Sequence, residues 1–517
     1  MTTKGAAPAT GGRVAAGRRE WLGLVVLGLP TLLISMDMTV LHLAVPQISA
    51  ALNPSGAQLL WIVDVYSFFV AGLLIVMGAI GDRIGRRRLL LAGAVGFGVA
   101  SLLAAYSTSA ETLIVARALL GVAGSTLMPS TLALIRNMFH DAKQRAMAVA
   151  AWSMTLMAGA ALGPVVGGVL LEFFWWGSVF LLAVPVMAIL LAFAPVLLPE
   201  HRDHHPPRLD WAGAVLSLIA VLAAIYGLKR AAEDGLDGVT ALAMGVGLTA
   251  GLLFIAGLRR SNHPLIDLTL FRRRTFSVAL SVLLLSTLVL FGITYFTAQY
   301  VQLVLGLSPL AAGLWMVPPL LVGLLLTMLA TAASGRLRPT HVIVGGLALA
   351  APGFAVLAGL DDTGDLPQLV IGLAFAFGGI LPASTLGVDI VISAAPPQRA
   401  GAASAISETA TELGGALGIA VLGSIGAAVY RERIGAALPA GTSQRVADAA
   451  RDSLGGATAA ELPPAVLSAA REAFAAGMRV SAIVAALLVV AASLTVATVL
   501  RQTRGSRAAG RGQRAVG

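Results

Sequence analysis

The sequence predicts an all-α integral membrane protein of fourteen spanning helices, on three observations. Hydrophobic residues make up 57% of the 517 and charged residues only 12%, a balance that no soluble domain of this size needs for its core. Apolar stretches of about 20 residues recur along nearly the whole chain, each long enough at ~1.5 Å per residue to cross a ~30 Å hydrocarbon core. Lys and Arg sort to alternate sides of those stretches: with the N-terminus cytoplasmic, the inner segments hold 26 of the 35 and the outer segments 8, among them Lys229, Arg230 and six between Arg431 and Arg479. That asymmetry follows the positive-inside rule and puts both termini in the cytoplasm. The net charge of +10 therefore orients the chain in the cell membrane and implies no nucleic-acid partner.

The spans begin near Trp21, Leu59, Leu89, Thr112, Ala146, Trp176, Trp211, Thr240, Phe276, Pro309, His341, Leu366, Ala400 and Gly477. The first follows a tail with Lys4, Arg13, Arg18 and Arg19, lacks a cleavage site and carries Asp37, so it is expected to be retained. Most connections are short and rich in Gly, Pro, Asp or Arg. The long one, 431–478, reads as a short helical hairpin on the outer side.

An internal repeat sets the organisation. Gln144–Thr155 reads QRAMAVAAWSMT and Gln398–Thr409 reads QRAGAASAISET, identical at seven of twelve positions, and a glycine-rich stretch follows each. The repeat pairs span five with span thirteen. Expected units are a tail at 1–20, a six-helix bundle at 21–198, an inserted helix pair at 199–275, a second six-helix bundle at 276–501 and a tail at 502–517. Parallel repeats of this kind place a substrate cavity between the halves near the bilayer midplane.

Three motifs follow. GAIGDRIGRRRLLL joins spans two and three: Gly78 allows close helix approach, Gly85 a tight turn, the Asp82 carboxylate can cap a helix N-terminus, and Arg83, Arg86 and Arg87 can hold carboxylates or lipid phosphates. A merely basic, topology-fixing loop would read the same. Span five carries GAALGPVVGG, in which Gly159, Gly163, Pro164, Gly167 and Gly168 favour close packing and bending. Arg117, in RALLGVAG of span four, needs a partner or a wet cavity.

Together these motifs resemble the major facilitator superfamily: GDRIGRRR resembles its loop signature, Arg117 with Gly121 its fourth-helix signature, and GAALGPVVGG its drug-antiporter signature. SMDMTVLHLAVPQI in span one and WIVDVYSF in span two are similar to the fourteen-helix drug:proton antiporter branch, the pumps for quaternary ammonium and other lipophilic cations. The resemblance runs from Trp21 to about Arg501. It implies a major facilitator fold of two six-helix bundles plus two inserted helices, with inward proton flow driving drug export. A dedicated exporter of one antibiotic or metabolite is the alternative on the same fold.

SAISETATELGG, Ser404–Gly415, puts Glu408 and Glu412 one turn apart on one face of an apolar helix. An acid at a helix centre costs about 2.5–3.5 kcal/mol on insertion scales, so it persists only where it faces protein or water and is a functional suspect. Asp37 and Asp64 in spans one and two extend the series. A site built of such acids holds a proton or an organic cation, but poorly both, and Asp37, Glu408, Glu412, Asp64 and Arg117 are the expected coupling and cation-binding residues. Trp61, Tyr66, Trp152, Met154, Met157, Tyr295, Phe296, Gln299 and Tyr300 are candidate cavity-lining residues, since aromatic and methionine surfaces suit varied flat cations. His42 reads as an interfacial residue, Asp389 as a partner of a loop cation, and Asp361, Asp362 and Asp365 as an exposed loop.

An enzyme is not expected. There are no cysteines, the histidines lie mostly in loops, the group at His201, His204 and His205 reads as solvated loop instead of a metal site, and no phosphate-cradling glycine loop is present. Expected partners are small-molecule drugs, protons and the lipid bilayer, with no cofactor and a monomeric state.

Overall fold

In lipid a backbone N–H or C=O finds no water, so each apolar stretch must satisfy its own hydrogen bonds as a helix. The computed structural model describes residues 16–200, 202, 210–260, 268–333, 339–362, 364–396, 400–438, 443–459 and 462–514. Fourteen of its helices are long and apolar enough to span a membrane. The N-terminal half holds α1 (Arg18–Leu52), α2 (Gly56–Ile84), α3 (Arg86–Ala105), α4 (Ala110–Met138), α5 (Ala142–Phe173) and α6 (Ser178–Leu197). The inserted pair is α7 (Trp211–Asp234) and α8 (Gly238–Arg260). The C-terminal half holds α9 (Arg274–Gln299), continued by a π-helical turn at Tyr300–Val304, then α10 (Pro309–Ala333), α11 (Pro339–Leu357), α12 (Leu366–Ala394), α13 (Ala400–Ala437) and α14 (Pro464–Arg514). Within the long connection two short helices form, Gln444–Asp452 and Leu454–Ala459.

The loops supply the caps that helix ends need. Ser55 and Gln58 make a reciprocal capping box at α2, and the Asp141, Asp210 and Asp365 side chains accept from the first turns of α5, α7 and α12. Asp365 is thus a cap as well as a loop residue. An even number of spans puts Ala16 and the end of α14 at one end of the bundle, here termed the terminal end. The opposite end is the remote end.

The repeat is visible in the packing: α1 lies on α5 as α9 lies on α13, while α5 crosses to α10 as α13 crosses to α2. The halves touch at the remote end. A Cβ on Gly168 would stand 2.9 Å from Leu310 Cα, one on Gly423 2.6 Å from Leu60, one on Gly56 3.1 Å from the Asp452 carbonyl and one on Gly455 2.6 Å from Ser49 Cβ. Gln302 donates to the Leu43 carbonyl at 3.0 Å and the Leu310 amide to Glu172 at 3.3 Å. At the terminal end Arg136 of α4 and Arg145, Ala146, Val149 and Ala150 of α5 line an open crevice.

The first helix of the inserted pair is not an appendage on the lipid side. Helix α7 lies in the groove between α2 and α13, where Phe68, Ile225, Ala416 and Ala420 form a small buried core. Among the described residues, helix α8 packs chiefly on α7.

Two expectations need correction. Lys229 is not an outer-segment charge: it is 2% exposed, in the last turns of α7 inside the bundle. His42 is not interfacial: it is 2% exposed, its Nδ1 buried without a partner and its ring 6.4 Å from Tyr295 of the other half. Lys4, Arg13, His201, His204, His205, Arg208, His263, Arg336, Arg338 and Arg399 lie outside the described residues.

Candidate functional site

Arg117 is buried on α4 and finds its partner on α1. Nη1 donates to Asp37 Oδ2 at 2.7 Å, and Nε donates to the Ile62 carbonyl of α2 at 3.2 Å. The guanidinium carbon sits 4.8 Å above the Tyr66 ring, so a stacked face completes its surroundings. Gly121 and Gly124 make room for this: a Cβ there would come within 2.5 Å of the Tyr66 carbonyl and 2.8 Å of its hydroxyl. One cation thereby ties three helices of a single half together, and Asp37 is compensated within that half.

Asp64, fully buried on α2, has a partner that sequence reasoning missed. Lys229 Nζ of α7 is 2.8 Å from each carboxylate oxygen. The same ammonium lies 4.2 Å from the Trp61 ring centroid and 6.0 Å from that of Phe68. The available signal was a lysine ending an apolar run. Its pairing rests on where α7 docks, which linear spacing does not encode.

Glu412 differs from both. It is 6% exposed, on the face of α13 that meets Ser67 of α2, and its Oε2 is buried without a hydrogen-bond partner. Glu408, one turn toward the terminal end, is partly exposed. In the register of the repeat, α5 has Met154 and Ala158 where α13 has Glu408 and Glu412. The acid pair therefore marks one half alone, at the seam with the other.

The glycine motif packs helices. Gly159, Gly163 and Gly167, four residues apart, lie on one stripe of α5 against Leu32, Thr39 and Val40 of α1, while Gly168 faces α10 and the Pro164 carbonyl faces Gly313 of α10. In the loop motif Asp82 pairs with Arg86 at 2.6 Å instead of capping a helix through its own side chain. The Arg87 guanidinium donates to the carbonyls of Pro195 and Leu198 at 3.1 and 3.0 Å, closing the end of α6. Its amide donates to Glu200 at 3.2 Å. Gly85 has φ 111°, and a Cβ there would collide with the Glu200 carboxylate. The loop is an ion-paired joint within the N-terminal half, not only a basic segment. Gly78 faces Pro129 of α4 with room to spare.

Of the cavity-lining candidates, Tyr295, Phe296 and Gln299 line a narrow cleft at the remote end, bounded by α2, α9, α13, α14 and residues 452–454. Asp37 and Met36 line a tight crevice between α1, α3 and α6. Tyr66 and Trp152 are buried with Tyr66 Oη and Trp152 Nε1 unpartnered, Tyr300 donates to the Asp361 carbonyl, and Met154 and Met157 are exposed. Asp389 stands exposed on α12.

Two repeat-related halves of six membrane helices, with the Glu412 carboxylate buried at their seam, define a membrane transporter. The family profile of the Major Facilitator Superfamily matches residues 27–419, and the chain belongs to that family. It is 44% identical over 490 residues to the multidrug efflux pump LfrA of Mycolicibacterium smegmatis, covering 94% of this chain and 97% of LfrA. It is 38% identical to the methyl viologen resistance protein SmvA of Salmonella typhimurium, covering 88% and 93% of the two chains. The fold is that of a bacterial homologue of the human lysosomal transporter Spinster, crystallised inward-facing and unoccupied, with TM-score 0.65 over 94% of this chain and 99% of that one at 19% identity.

Proposed function

We propose that the chain is a proton-coupled antiporter that exports lipophilic cations, drugs or biocides, from the cytoplasm by alternating access. It works as a monomer with both termini cytoplasmic. The observation that carries this reading is Glu412: a carboxylate buried at the seam of the two halves, with one oxygen unpartnered and a second acid one turn away. Such a group must be neutralised by a guest, and a proton and an organic cation are alternative guests.

The resemblance of the whole chain to LfrA and SmvA supports the substrate class. The remote-end contacts and the crevice at the terminal end fit the half-cycle that faces the cytoplasm. On this reading a cation arriving from the cytoplasm takes the place of protons on Glu408 and Glu412. The halves then rock about the seam, and protons returning from outside expel the cation. Asp37 is bound to Arg117 and serves the joint more than the guest.

Drug-driven proton release from proteoliposomes tests the proposal. Glu412→Gln is expected to abolish release and Glu408→Gln to reduce it. Undiminished release and efflux in both variants, and in Asp37→Asn, would refute it. Efflux of several unrelated cations separates a broad pump from a dedicated exporter.

A further inference from the structure

The surroundings of the Lys229 ammonium are those that recognise an organic ammonium ion. A carboxylate lies 2.8 Å away, one aromatic ring has its centroid at 4.2 Å and another at 6.0 Å, and Ile225, Ala416 and Ala420 pack with the second ring, Phe68, in a small apolar core. Carboxylate plus aromatic faces is the general recipe for binding alkylammonium groups away from water. The box lies beside the seam, because Ala416, which packs in one core with Phe68, is one turn along α13 from Glu412.

Stability does not explain the pair. Replacing a buried ion pair by apolar residues of similar volume is often neutral or stabilising, and the groove around α7 is already apolar. The other groups in electrostatic reach of Asp64 are Arg117 on α4 and Tyr295 on α9, and Arg117 is engaged by Asp37. Lys229 is thus the cation that fills the box.

We infer that Lys229 is a tethered competitor for the cationic group of the substrate: its ammonium occupies the Asp64, Trp61 and Phe68 box in the unloaded protein, and a guest cation takes the box by displacing it. The inserted pair then belongs to the coupling machinery, since α7 must release Asp64 for a cation to bind there and must return when the cation leaves. The inference rests on the cation export proposed above and adds a residue and an element to it.

Ethidium binding to the purified full-length protein, read by fluorescence in detergent, tests it with Lys229→Gln, Asp64→Asn, the double variant and Lys229→Arg. Removing the competitor is expected to tighten binding about tenfold in Lys229→Gln, and the gain is expected to vanish when Asp64→Asn is added. A Lys229→Gln protein that melts cooperatively yet binds no tighter than wild type overturns the inference, as does a gain that survives Asp64→Asn. Should Lys229→Gln fail to fold, Lys229→Arg decides: a guanidinium holds a carboxylate through two parallel donors, so ethidium binding is expected to weaken, and binding at least as tight as wild type overturns the inference. Wild-type protein that neither binds nor exports ethidium or other cations would sink the export reading itself, and this inference with it. Normal wild-type export with an unaltered Lys229→Gln affinity sinks the inference alone.

Discussion

The Arg117 guanidinium donates to Asp37 over 2.7 Å and to the Ile62 carbonyl over 3.2 Å, so a single side chain of α4 anchors both α1 and α2. Breaking a buried pair by removing one partner strands the other charge, at a cost of about 3–5 kcal/mol. Arg117→Ala is therefore expected to lower the thermal midpoint in detergent more than Asp37→Asn, which keeps an acceptor oxygen for the guanidinium. Equal midpoints for wild type and Arg117→Ala would show that the pair is not a joint.

Gly163 sets the distance between α1 and α5. A Cβ there would land on the Thr39 hydroxyl, and overpacking of this kind costs about 1–3 kcal/mol. Gly163→Ala is expected to lower the melting temperature and Thr39→Ala to restore part of the loss in the double variant. Additive losses in the double variant would contradict the assigned contact.

The remote end can be locked. Gly455 in the long connection approaches Ser49 at the end of α1, and the chain holds no cysteine of its own. Ser49→Cys with Gly455→Cys is expected to form a disulfide on oxidation, to stop efflux while oxidised and to recover on reduction. Efflux that continues with the crosslink complete would mean that the two segments do not part during the cycle.

The turn between α7 and α8 is closed by Arg230, whose Nη2 donates to Asp237 Oδ2 at 2.9 Å, and by the Thr240 amide, which donates to Oδ1 at 2.7 Å. These bonds, chiefly those from Arg230, hold the Asp237 carboxyl well below the usual carboxylate range. A depressed value in the folded protein means that the contribution is fully present above the ordinary carboxylate pKa of about 3.9 and is lost only as pH falls through the folded value. The loss in melting temperature caused by Asp237→Asn is therefore expected to be the same at pH 5 and pH 8. A loss that shrinks by half between those values would contradict the assignment.

Much of the fold was legible because lipid imposes a strong constraint: fourteen apolar runs had to become fourteen helices, and the QRA repeat told which were equivalent. The acids were legible for the same reason, since Glu408 and Glu412 stand out against their apolar neighbours. What stayed hidden was pairing. Arg117 announced that it needed a partner, but linear spacing did not choose Asp37 among the acids. Lys229 reads in the sequence as a loop charge because it ends an apolar run, and only the docking of α7 between α2 and α13 brings it onto Asp64. His42 likewise sits near the end of an apolar run, yet α1 continues to Leu52 and the His42 ring lies against Tyr295 of the other half.

Helix α8 leans on α7 and on little else, although the polypeptide passes through it on the way from one half to the other. Covalent continuity there is decoupled from architecture: the two halves recognise each other through α1, α2, α5, α9, α10, α13 and the long connection, and α7 alone supplies the wedge. A chain severed at the turn before α8 should therefore reassemble from two co-expressed fragments, whereas a cut ahead of α7 would separate the wedge from the half that carries Asp64.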